Sequence, residues 1–273
     1  MKRLINRHPS RISGIALALL PFVLVLVAYG IASALRLAEN PDDRLLPSLI
    51  RLLESFFRLA SEPNRRTGEV VLWVDTWASL TRLLLGVGIS ALIGLLVGLF
   101  TGLLPVLRHT FSPFITVVAM IPPLALLPIL FITFGIGELS KVMLIVIGIT
   151  PFITREIQQR VEELPGEQLI KAQTLGGSSW QIALRVVLPQ ILPRLFNAMR
   201  LSLGAAWLFL IAAEAIAATE GLGYRIFLVR RYLDMETILP YVAWITLLAW
   251  LLDLALRRLT HWLFPWYRGG RGR

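Results

Sequence analysis

The sequence predicts an all-α membrane protein of about six transmembrane helices, and three observations carry that prediction. Of its 273 residues, 56% are hydrophobic and 16% are charged, with a mean hydropathy of +0.71, outside the range of water-soluble domains. The apolar residues gather into runs of about 20, the length that crosses a hydrocarbon core of roughly 30 Å. The net charge of +10 comes from basic residues at the ends of those runs, which membrane orientation explains and nucleic-acid binding does not.

Several chemistries are excluded. The chain has no cysteine and three histidines, and His8, His109 and His261 are too scattered to form a metal cluster. It lacks a phosphate-binding Gly-x-x-x-x-Gly-Lys-Ser/Thr loop, a His-Glu-x-x-His pair and a Gly-x-Ser-x-Gly elbow. We therefore expect no catalytic residue, no metal and no cofactor. Any work driven by ATP would need its ATPase on another chain.

Taken in order, Lys2, Arg3, Arg7 and Arg11 precede an apolar run from Ile12 to about Leu35. It is longer than a signal peptide's apolar core of about 7 to 15 residues, and we read it as a retained first span; the Ala32-Ser33-Ala34 stretch leaves cleavage as the alternative. Basic residues before it place the N-terminus in the cytoplasm. An amphipathic helix capped by Ser48 follows, with Arg51, Glu54, Ser55 and Arg58 on one face and Leu49, Ile50, Leu52, Leu53, Phe56 and Phe57 on the other. It is expected on the outer membrane surface or against the bundle. The second span, from about Leu80 to Leu104, carries Gly86, Ser90, Gly94, Gly98 and Gly102 at every fourth position, a ridge that lets another helix approach closely.

Span three, about Phe111 to Phe134, contains Pro122, Pro123 and Pro128. Prolines free backbone carbonyls, and inside a membrane these need protein or a water-lined cavity to satisfy them. A broken helix lining a pathway and a simple packing kink are both open. Span four runs from about Leu139 to Thr154 and span five from about Leu195 to Ala218. Arg200 lies near the inner end of span five and Glu214 near its outer end. An ionisable residue in a span must face protein or water, so Glu214 either pairs with Lys141 or Arg225 or takes part in solute passage. Arg225, Arg230 and Arg231 then form an outer polar stretch that is paired, solvated or attractive to an anion. The sixth span, about Ile238 to Leu256, ends in Arg257 and Arg258 and a basic, aromatic tail. The excess of Lys and Arg on one side puts both termini in the cytoplasm.

Between spans four and five, Arg155 to Arg194 is polar. Two short helices are expected there, broken where Gly176 and Gly177 take positive φ. Ser178 with Gln181 three places on makes a capping box for the second, and Leu188-Pro189 closes it. The run Ile170, Lys171, Ala172, then Gly176, then Val186, Leu188 and Pro189 resembles the cytoplasmic loop of ABC-importer permeases, Glu-Ala-Ala, three residues, Gly, nine residues, Ile-x-Leu-Pro. Ile170 and Lys171 replace the leading Glu-Ala, with Glu167 one turn earlier as a substitute acid. Phe134-Gly135-Ile136-Gly137-Glu138-Leu139-Ser140-Lys141, together with the three prolines and Glu220-Gly221-Leu222-Gly223-Tyr224, resembles the nitrate, sulfonate and taurine branch of that family. The resemblance spans roughly Trp77 to Arg258.

The resemblance implies a type I importer-like bundle in the cell inner membrane. Its parts would be an N-terminal region 1–76, a permease core 77–258 with coupling loop 155–194, and a basic tail 259–273. It further implies ABC ATPase subunits beneath, an extracytoplasmic substrate-binding protein above, a second permease subunit, a homodimer being favoured, and surrounding lipid. The pathway would carry a small solute, anionic by analogy with the branch. Within the loop, Ala172, Gly176, Gly177, Trp180, Ile182, Arg185, Val186, Leu188 and Pro189 would couple to the ATPase. Gly176 and Gly177 would set a lever angle, Trp180 and Ile182 would be apolar anchors, and Arg185 would meet an acid. Pro122, Pro123, Pro128 and Glu214 would belong to the pathway. The competing reading is a secondary transporter driven by an ion gradient, which would show internal repeats and ionisable residues at mid-bilayer; no repeat is visible.

Overall fold

Glycines spaced by four decide which helices meet at the centre. The computed structural model describes residues 10–41, 43–64 and 68–267; Lys2, Arg3, Arg7, Arg268, Arg271 and Arg273, on which the expected orientation partly rests, lie outside them. Helix α3 (Val71–Leu103) and helix α6 (Glu138–Glu162) lie against each other along their length. A Cβ on Gly86 would come within 2.7 Å of Ile145, on Gly94 within 2.6 Å of Ile153, on Gly98 within 2.8 Å of Ile157, and on Gly102 within 2.6 Å of Val161. The two sets of residue numbers rise together, so the helices are parallel. Between helices in lipid, close packing rather than water exclusion drives association, and the ridge supplies it.

The other helices wrap this pair. Helix α9 (Leu188–Ala217) packs on α6, where Phe209 lies over Gly148 so closely that a Cβ there would meet its ring at 2.4 Å. Leu83, Ile145, Ile149, Ile157, Ile191 and Leu210 are fully buried between the three. Helix α11 (Met235–Leu263) joins α9 and the amphipathic helix α2 (Leu49–Ser61). The Ser48 side chain caps α2, accepting from Arg51 N at 3.3 Å, and Phe56 meets Trp244 at 5.7 Å between ring centroids. Ser55, expected on the polar face, is buried, while Ile50, Leu53 and Phe57 are exposed. The bundle takes a narrow stripe of α2 and leaves the rest of its apolar side outward.

Helix α1 (Arg11–Glu39) stands off the bundle with almost every apolar side chain exposed. Tyr29 Oη donates to Pro47 O at 2.7 Å and Ser33 Oγ to Leu46 O at 2.9 Å, so the following loop holds its end. The third expected span is helix α4 (Pro105–Val118), a 3-10 turn (Pro123–Leu126) and helix α5 (Leu127–Phe134), bent by 81° at the break. Among the described residues, 4 helices are long and apolar enough to cross a membrane, or up to 5 with this bent pair as one span. Helix α6, with charges at both ends, occupies the place of the remaining expected span.

Several span boundaries differ from the sequence expectation, among them the start of the fifth at Leu188 and the end of the sixth at Leu263, and two others have a visible cause. The second span starts at Val71 rather than near Leu80, because neighbouring helices satisfy Asp75 and Arg82. The fourth runs to Glu162 rather than Thr154, extended by intrahelical pairs such as Arg160 Nε with Glu156 Oε1 at 2.8 Å.

Candidate functional site

At one end of the bundle the chain makes a helical elbow. Helix α7 (Gly166–Thr174) is followed by helix α8 (Ser179–Ile182). Gly176 has φ 82° and its N–H reaches Gln173 O at 2.9 Å, while Gly177 N–H bonds Ala172 O at 3.0 Å. Only Gly176 takes positive φ. Gly177 is required for another reason, since a Cβ there would stand 2.8 Å from Ala172 O. Ser178 Oγ accepts from Gln181 N at 3.3 Å and Ser178 N–H donates to Gln181 Oε1 at 2.9 Å, completing the capping box.

Leu188-Pro189 does not end the second helix. The chain passes through a π turn (Ala183–Val187) straight into α9. Pro189 has no N–H and its ring would strike the carbonyl of residue 185 in a regular helix; the wider turn relieves both problems. Gln190 Nε2 donates to Val186 O at 2.7 Å and to Gln168 Oε1 at 3.2 Å, so one side chain ties α9 to α7.

The sequence-selected residues of the loop divide by exposure. Ile182 is buried, and it packs in the chain's own core with Val187 instead of being offered outward. Ala172, Val186, Leu188 and Pro189 are half-buried. Trp180 is 60% exposed, its ring stacked 6.4 Å from Phe100, and Arg185 is exposed. Three residues missed from the sequence join them, Ile170 at 60%, Leu175 at 88% and Leu184 at 39% exposed. The signal for them was available: apolar residues in a short helix pair with no apolar partner span in reach.

At the other end, buried charges form a knot. Asp75, Ser79 and Arg82 share one face of α3 just before the glycine ridge begins. Glu214 of α9 accepts from Arg82 Nη1 at 2.8 Å, Ser79 Oγ at 2.8 Å and Gly223 N at 2.9 Å. Arg82 also bonds Glu138, which takes Lys141 Nζ at 2.6 Å. Asp75 accepts from Gly221 N at 2.9 Å, Tyr241 Oη at 3.0 Å and Arg225 Nε at 2.8 Å. Asp75 and Glu214 are completely buried.

The knot corrects the expected pairing. Glu214 binds Arg82, whereas Lys141 and Arg225 serve Glu138 and Asp75. Helix α10 (Leu222–Val229) enters through Gly221, where a Cβ would meet the Glu214 carboxylate at 2.6 Å, so the loop can lie directly on the acid. Pro122, Pro123 and Pro128 sit apart from both, at the break between α4 and α5. Among the described residues, no group of three His, Cys, Asp or Glu could hold a metal ion.

Comparison with known proteins decides the family. The inner-membrane component of binding-protein-dependent transport systems matches residues 90–269. The chain belongs to that family. This permease is 36% identical over 222 residues to the taurine transport system permease protein TauC of Escherichia coli (strain K12), covering 81% of this chain and 80% of that one. It is 32% identical over 196 residues to the bicarbonate transport system permease protein CmpB of Synechococcus elongatus, covering 71% and 69%. It is 28% identical to the nitrate import permease protein NrtB of Synechocystis sp. over 181 residues, 66% of each chain.

These relatives are of the branch the sequence resemblance indicated. The permease fold matches the MetNI methionine ABC transporter in inward facing conformations, with a TM-score of 0.63 at 23% identity over 70% of this chain and 95% of that one. It is thus an all-α inner-membrane permease of the type I ABC-importer fold.

Proposed function

We propose that this permease lines the membrane pathway for a small anionic solute and is driven through its elbow by a separate ATPase. The solute class follows the names of relatives that carry taurine, bicarbonate and nitrate. The observation that carries the coupling is the preformed, projecting surface of Ile170, Leu175, Trp180 and Leu184 with Lys171 and Arg185 beside it. Exposed apolar side chains on capped helices outside the bundle suit a partner's groove. The elbow is the cytoplasmic end, and both termini lie on that side. A binding protein delivers solute at the knot end, and a second copy of the permease completes the pore.

Force applied to the elbow has two routes into the bundle. One runs up α6, the other through the π turn into α9, and Gln190 braces α7 against the second. Both helices reach the knot through Glu138 and Glu214. The break at Pro122, Pro123 and Pro128 gives the pathway a segment that can reorient between inward-open and outward-open arrangements. Ala172, Gly176, Gly177, Val186, Leu188 and Pro189 hold the elbow's shape, and Trp180 and Arg185 face the ATPase. Glu214 acts from within the knot.

The test is Gly176→Val in the assembled transporter. Valine strongly disfavours φ near 82°, and no other atom crowds the site. We expect the variant permease to insert and to pull down less ATPase, with stimulated hydrolysis falling at least about tenfold, a rise of roughly 1.4 kcal/mol in the barrier of the stimulated step. Undiminished stimulation would refute the elbow as the coupling element.

A further inference from the structure

Helix α6 carries a guanidinium that no acid among the described residues neutralises. Arg155 is exposed and, among the described residues, makes no hydrogen bond or ion pair. The reason is visible in its own helix. Its neighbours at three and four residues are Pro151, Phe152, Gln158 and Gln159, none of them an acid. Glu156 is held by Arg160 at 2.8 Å, and Gln159 donates to Glu163 at 3.1 Å.

Arg155 lines a cavity of about 400 Å³ with Phe152, Glu156, Gln159 and Ala119. Ala119 is the residue that ends α4, so the cavity opens at the break of the bent pair. Arg155 lies about 25 Å along α6 from Glu138 at 1.5 Å per residue, two turns short of the elbow. A cation on a membrane-spanning helix is costly against lipid and favourable in a water-filled passage.

We propose that Arg155 is an oxyanion-binding station at the cytoplasmic end of the pathway, taking a carboxylate, sulfonate or nitrate-like group. This rests on the pathway reading given above. A guanidinium matches such groups with two parallel N–H donors, and the passage needs a site strong enough to admit the anion and weak enough to release it. With Glu156 neutralised by Arg160, the cavity's uncompensated charge is positive.

The absence of native cysteine makes the test direct. In full-length permease in nanodiscs without nucleotide, Gln159→Cys is labelled with an anionic sulfonate-bearing and a cationic trimethylammonium-bearing methanethiosulfonate. The anionic-to-cationic rate ratio is expected to fall about tenfold when Arg155→Gln is added, the size for a unit charge some 6 Å away in water, and to be kept by Arg155→Lys. Methanesulfonate at constant ionic strength should slow labelling by neutral N-ethylmaleimide in the Arg155 protein and not in Arg155→Gln. An unchanged ratio, equal protection in both, or no labelling of Gln159→Cys by any reagent would overturn the proposal. None of these readings depends on the ATPase, so failure of the elbow to couple is a separate result.

Discussion

Arg82 is the residue on which the knot depends. It is 2% exposed and joins Glu214, Glu138 and the Glu220 carbonyl, linking three segments of chain. Removing one member of a buried ionic set leaves the others uncompensated, at a cost of about 3–5 kcal/mol, whereas replacing both partners with apolar residues is often near neutral. We expect Arg82→Met to lower the thermal midpoint of the detergent-solubilised protein markedly, and Arg82→Met with Glu214→Leu to recover much of the loss. A double variant no better than the single one would show that the knot is not organised around this pair. Gly221 belongs to the same unit, since its missing Cβ lets the loop rest on Glu214.

Among elements, the elbow is the one whose local chemistry can be changed without touching the bundle. Ser178→Ala removes a helix cap and should cost roughly 1 kcal/mol, seen as faster hydrogen exchange confined to 178–182 with little change in the global melting temperature. The elbow was readable in the sequence because its signals are short-range: a glycine at the turn, and Ser178 and Gln181 three apart. The path through Leu188-Pro189 was not, because a proline that usually ends a helix is accommodated here by a π turn that no residue type announces. Ile182 was misassigned for a similar reason. Trp180 and Gln181 before it are exposed, but the elbow folds back so that Ile182 and Ala183 turn inward. The pairing of Glu214 was illegible because its partner, Arg82, lies 132 residues away, on a part of α3 that its charges made look like a span boundary.

Across the whole molecule, order is concentrated on one axis. Helices α3, α6 and α9 share the buried core, while α1 has 0% of its most apolar window buried. Hydrogen exchange of the permease in nanodiscs should be slowest at 83–99 and 144–157 and fastest in the elbow, with the elbow slowed further when ATPase is bound. Equal protection along the elbow and the α3–α6 pair in the isolated permease would contradict a stiff shaft with a compliant handle. The all-helical, several-span architecture followed from composition and run length alone, because lipid permits few alternatives. That another helix packs closely along α3 was written in the four-residue glycine spacing, although which helix it is was not.

That spacing has one more outcome. The ridge on α3 and the β-branched residues opposite it, Ile145, Ile149, Ile153, Ile157 and Val161, both repeat every four places. Sliding one helix by a full turn would again set small residues against bulky ones, so the steric pattern is a rack with more than one tooth that fits. The Arg82–Glu138 clasp at one end and, at the other, Arg108 bridging the last carbonyls of α3 to Glu162 of α6 tell one notch from the next, which makes ion pairs, rather than the greasy seam between them, the index marks that fix how far the two rods are pushed past each other.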